Sequence, residues 1–110
     1  MPDLTLYFRA LADRKRLRIA EYLAVHEQVT VTQLGAELRM SQPLMSWHLR
    51  MLRRAGIVKT RRSGRQVLCS LNRRALQGYH LRVAEAFGLE DQRSEHVGDQ
   101  EGAWKTARHA

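Results

Sequence analysis

The chain has 110 residues, 44% of them hydrophobic, and a formal net charge of +8 from nineteen Lys and Arg against eleven Asp and Glu. That length allows one domain with a modest core, and no apolar run approaches the ~20 residues needed to span a bilayer, which excludes a membrane partner of that kind. A single cysteine, Cys69, excludes an intramolecular disulfide and a cysteine-pair zinc ribbon.

Met1-Pro2-Asp3-Leu4 shows no basic stretch leading into an apolar one, so no secretory signal is expected, and a cytoplasmic protein is. Leu4, Tyr7, Phe8 and Leu11 recur at helical spacing, and Leu17, Ile19, Ala20, Tyr22, Leu23 and Val25 follow. The pattern predicts helices over about 3–12 and 14–25 with a break at Asp13, which suits an N-cap. Val29-Thr30-Val31 is β-branched and extended, and Thr32 is expected to cap a third helix over about 33–39 with Leu34 and Leu38 inward.

Met40-Ser41-Gln42-Pro43 is a turn entering a helix, since Ser41 suits the N-cap and proline is tolerated only in the first turn. That helix repeats apolar residues at Met45, Leu49 and Leu52 and stops at Ala55-Gly56. Two helices around a tight turn, the second basic at its far end, form a helix-turn-helix signature. The period then alternates through 57–62 and 65–71 around Ser63-Gly64, which predicts a β-hairpin wing with a cationic tip. Asn72 is expected to cap a last helix with Leu76, Tyr79, Val83 and Phe87 on one stripe. The predicted organisation is a winged helix-turn-helix domain over 1–88 and a polar, loose tail over 89–110.

Charge is segregated along the chain. Between Arg39 and Arg82 there is no Asp or Glu, yet eleven of the nineteen Lys and Arg, whereas six of the eleven acids fall between Glu85 and Glu101. A cationic surface of this kind calls for a polyanion, because each phosphate it neutralises releases condensed counterions. An enzyme is not expected: there is no phosphate loop, no nucleophile with a base and no paired carboxylates in an apolar setting.

Phe8-Arg9-Ala10-Leu11-Ala12-Asp13 with Arg16-Leu17-Arg18-Ile19 resembles the opening of the ArsR/SmtB-type bacterial repressors. Ser41-Gln42-Pro43, Ser46-Trp47-His48-Leu49, Leu52-Arg53 and Ala55-Gly56-Ile57-Val58 are similar to their recognition helix, and Gly64-Arg65 to Leu71 to their wing. The resemblance covers about residues 4–87 and implies a mainly α winged helix-turn-helix fold. It also implies a homodimer through the first and last helices, here Leu4, Tyr7, Phe8, Leu76, Tyr79, Val83 and Phe87. Two recognition helices about 34 Å apart would then read an inverted-repeat operator in double-stranded DNA.

Gln42 and Ser46 lie on the early, outward side of the predicted recognition helix, where side chains can reach base edges. Ser41 and Pro43 shape its start, with N–H groups available to a phosphate. Trp47 is expected either to pack on sugar or a thymine methyl or to shield the helix. His48 is read as DNA-proximal, with a partly buried structural role as the alternative. Arg50, Arg53 and Arg54 suit phosphate clamping, and Arg61, Arg62 and Arg65 suit the adjacent minor groove or its phosphates.

The family resemblance also implies where sensing sites would lie. In place of a Cys-x-Cys pair this chain has Val29-Thr30-Val31-Thr32-Gln33, and hydroxyls cannot replace soft thiolates. At the places of the last-helix Asp, His, His and Glu ligands stand Arg73, Ala75, Ala86 and Leu89. No cofactor or metal is therefore expected, and an unidentified small-molecule effector remains a candidate partner. The alternatives are a nonspecific architectural DNA-binder and a metal or redox sensor with a non-standard site.

Overall fold

The structure, a computed structural model, describes residues 3–89. The expected tail lies outside the described residues apart from Leu89. Asp3 opens α1 (Leu4–Leu11) by accepting from the Thr5 and Leu6 amides at 2.9 and 3.3 Å. Asp13 opens α2 (Arg14–Val25) by accepting from the Arg16 amide at 3.0 Å, so the expected break at Asp13 is present. Each carboxylate satisfies amides that lack partners in a first helical turn.

The strand β1 is Val29–Thr30, and α3 (Val31–Leu38) starts two residues earlier than expected. Its cap is Thr30, not Thr32. Thr30 Oγ1 accepts from the Gln33 amide at 3.0 Å, and Gln33 Oε1 accepts from the Thr30 amide at 2.9 Å. A capping box needs Glu or Gln three residues after the cap; Thr30 has Gln33, whereas Thr32 has Gly35. Arg39 ends α3 in the left-handed region at φ 55°, the only non-glycine among the described residues with positive φ.

Ser41 caps α4 (Gln42–Arg54), with Pro43 in the first turn. Gly56, at φ 75°, then turns the chain into β2 (Val58–Ser63). β2 pairs antiparallel with β3 (Gln66–Leu71), and Ser63 opposite Gln66 leaves Gly64-Arg65 as the two-residue loop. The turn is thus one residue later than expected, with Gly64 taking the positive φ (62°) that a first central position of a type II′ turn demands. β1 joins the other edge of β3, with Val29 opposite Cys69, to give a sheet of order β1-β3-β2.

Ile19, Leu23, Leu34, Met45, Leu52, Ile57 and Cys69 are fully buried, so α2, α3, α4 and the base of the wing share one core. Asn72 caps α5 (Arg73–Ala86), its Oδ1 accepting from the Ala75 amide at 3.2 Å. The chain divides into two units within α5, after His80. In the first unit Tyr79 stacks on Tyr7 with ring centroids 4.1 Å apart, and its hydroxyl donates to the Ala55 carbonyl at 2.6 Å.

Candidate nucleic-acid interface

Helical periodicity gives α4 two faces. Met45, His48, Leu49 and Leu52 are buried, while Gln42, Pro43, Ser46, Trp47, Arg50, Arg53 and Arg54 are exposed, Trp47 at 50%. Gln42, Ser46, Arg50 and Arg53 line a cleft of about 340 Å³ that they share with Val31 and Thr32 at the start of α3. Thr60, Arg65, Gln66 and Val67 close it from the wing. Among the described residues no carboxylate lines this cleft, so three guanidinium groups stand round it without a neutralising partner in its wall.

Arg53 Nη1 donates to Thr60 Oγ1 at 3.2 Å, which ties the far end of α4 to the wing. Arg61 and Arg62 are exposed on β2, outside the cleft lining. Trp47 and Arg54, seven residues apart, share a flank of α4 that does not line the cleft. Ser41, exposed, caps the helix through a long 3.4 Å contact from the Leu44 amide. The expected DNA-contacting set did not include Thr32, Thr60 or Gln66. Thr32 reaches the cleft from the start of α3, and Thr60 and Gln66 through the packing of the wing against α4, contacts between elements that carry no local signal.

Burial bears on two of the expected assignments, and for His48 it favours the structural alternative. His48 is 5% exposed, on the core side of α4, and its Nδ1 lies 3.1 Å from Arg16 Nη1. An inward ring has no surface to offer DNA. Burial lowers its pKa below the ordinary 6.5; the Arg16 and Lys15 charges push the same way, and Asp13 opposes them. Tyr79 is likewise 5% exposed within one chain, its ring on Tyr7 and its hydroxyl on Ala55, which leaves little of it for a partner. Of the other expected interface residues, Leu4, Tyr7, Leu76 and Val83 are half-buried, whereas Phe8 is 46% and Phe87 65% exposed.

A helix-turn-helix domain family matches residues 11–61. The SmtB homologue of Synechocystis sp., a transcriptional repressor, is 38% identical over 79 residues, covering 72% of this chain and 59% of that protein. The chain therefore spans under two thirds of that relative's length. An ArsR-like transcriptional regulator of Rhodococcus sp. RHA1 superposes with a TM-score of 0.68 at 26% identity, covering 88% of this chain and 90% of that one. NolR of Sinorhizobium fredii superposes with a TM-score of 0.60 at 30% identity, over 76% and 83% of the two chains. The chain belongs to the ArsR/SmtB family.

Within an ArsR/SmtB fold, the positions considered for sensing do structural work here. Val29 and Thr30 build β1, and Thr30 and Gln33 close the capping box. Arg73 Nη2 donates to the Ala24 carbonyl at 2.9 Å, supplying a cation to the C-terminal end of α2, whose own last turn has no basic residue. Cys69 is buried in β3, and burial pushes its thiol up to about 11, which keeps it protonated and unreactive. Among the described residues no group of three or more His, Cys, Asp and Glu side chains is placed to hold a metal ion. No helix among them is long and apolar enough to cross a membrane.

Proposed function

We propose that this protein is a sequence-specific repressor that binds an inverted-repeat operator in double-stranded DNA as a homodimer. The observation that carries the reading is the carboxylate-free cleft in which Gln42, Ser46, Arg50 and Arg53 of α4 face Arg65 and Gln66 of the wing. Gln42 and Ser46 read base edges in the major groove; Arg50, Arg53 and Arg54 grip phosphates, as do Ser41 and the first-turn amides beside Pro43. Arg61, Arg62 and Arg65 hold the backbone or the minor groove next to it. Trp47, half-exposed beside Arg54, packs on sugar or a thymine methyl. Dimerisation uses α1 and α5, in keeping with the exposure of Phe8 and Phe87.

Release from DNA does not use the family's usual metal ligands in this reading, because Arg73 occupies one of those positions and is bonded to Ala24. An organic effector is the candidate. The test is binding to duplexes drawn from the protein's own upstream region against random duplex at near-physiological salt. A preference of roughly 10³-fold or more supports the regulator. Equal affinity for both, with a steep salt dependence, would replace it with a nonspecific architectural DNA-binder.

A further inference from the structure

We propose that Arg16 is a positioning residue for DNA recognition, acting through His48 to hold α4 at one rotation about its own axis. This rests on the reading of α4 as the groove-entering helix. His48 is buried, and a buried polar side chain requires a hydrogen-bond partner. Arg16 Nη1 supplies it at 3.1 Å. A guanidinium only donates, so Nδ1 accepts and the ring proton sits on Nε2.

The same guanidinium is fixed elsewhere. Its Nε donates to the Ala10 carbonyl at 2.7 Å, near the end of α1 where carbonyls lack helical partners. The Arg16 amide donates to the Asp13 carboxylate at 3.0 Å, which fixes its main chain. Because the guanidinium is planar and rigid, its seat on Ala10 decides where Nη1 stands, and thereby where the His48 ring stands. Met45, Leu49 and Leu52 hold α4 by apolar contacts that tolerate small rotations. The bond to Nδ1 has a direction, so it does not. His48 lies between Ser46 and Arg50 in the chain, and a rotation of α4 would sweep both across the cleft. The ionisable neighbours acting on His48 are Asp13, Arg16 and Lys15, and the neutral imidazole is the form that suits two cations and one carboxylate.

The experiment compares affinity for the tightest duplex recovered by the wild type from a random-sequence library with affinity for unselected duplex, over a range of salt. The variants are Arg16→Lys, His48→Gln and His48→Leu, each checked for folding by circular dichroism. Glutamine keeps an acceptor for Arg16; leucine does not, and a lysine lacks the rigid fork that holds the Ala10 and His48 contacts at a fixed spacing. Arg16→Lys and His48→Leu are expected to lose roughly tenfold of the discrimination, while His48→Gln retains it. All three keep the wild-type salt slope, since no phosphate contact is removed. Equal discrimination by His48→Leu and His48→Gln overturns the proposal, as does a reduced salt slope in Arg16→Lys, which would make Arg16 a phosphate ligand. If His48→Leu does not fold, nitrogen-15 NMR of the wild-type imidazole decides: a proton on Nε2 supports the arrangement, and one on Nδ1 overturns it. A wild type that selects no duplex above background overturns the functional reading, and the positioning role with it; intact wild-type selectivity with unaffected variants overturns the positioning role alone.

Discussion

Burial beside Arg16 gives His48 a consequence for stability. Its folded pKa lies below the ordinary 6.5, so as pH falls from that value the unfolded chain takes up the proton first. Stability is therefore expected to be complete above pH 6.5, to fall below it, and to level off once the folded-state pKa is passed. Thermal denaturation above and below pH 6.5 should show this loss in the wild type and not in His48→Gln. Asp13, whose carboxyl the Arg16 amide holds below its ordinary 3.8, contributes only in a more acidic range, so it does not enter this comparison. At Tyr79, removing the hydroxyl leaves the Ala55 carbonyl without its 2.6 Å donor, and Tyr79→Phe should cost about 1–2 kcal/mol in chemical denaturation.

The elements around the cleft depend on local devices whose removal has different signs. Thr30→Ala opens the α3 capping box and should cost about 1 kcal/mol of stability. Arg39→Gly, at φ 55° in the turn between α3 and α4, should raise stability by about 1 kcal/mol, because a left-handed residue with a Cβ is strained. Denaturant midpoints of the two variants check both signs. Helix α4 and the wing differ in what they contribute to binding. Gln42→Ala should change the preferred duplex. Arg65→Ala should instead weaken binding to every duplex and lower the salt slope by about 0.9 for each phosphate that is no longer neutralised. Filter-binding against salt separates the two; equal losses on selected and random duplex would remove Gln42 from the base-reading set.

At the scale of the whole molecule, a dimer is the assembly that would place two copies of α4 on one duplex. Phe87, 65% exposed, is a hydrophobic side chain with little packing in one chain. Phe87→Glu is expected to shift sedimentation toward the monomer and to abolish high-affinity binding to an inverted repeat while leaving half-site binding. A single sedimentation profile shared with the wild type would remove α5 from the interface.

Much of this was legible in the residues. Ser41 with Pro43, the Met45, Leu49 and Leu52 repeat, Gly56 and Gly64 are local signals, each tied to a backbone geometry or a buried face, and the structure has a helix, a stop and a hairpin where they stand. Two boundaries shifted because the deciding partner was a side chain or a cross-strand residue: Gln33 selected Thr30 as the cap, and Gln66 selected Gly64-Arg65 as the loop. The sequence by itself determined the order of the elements, the helix-turn-helix with its wing, and the absence of acids from the stretch that lines the cleft. Only the tertiary structure decided what covers His48 and Tyr79, although each lies on an apolar stripe of its helix. Burial of those two rings depends on what packs opposite them. For His48 that is Arg16, 32 residues away in the chain. For Tyr79 it is the Ala55 carbonyl, 24 residues away, and the ring of Tyr7, farther still. Periodicity reports on neighbours within a few turns of helix and carries no information at such separations.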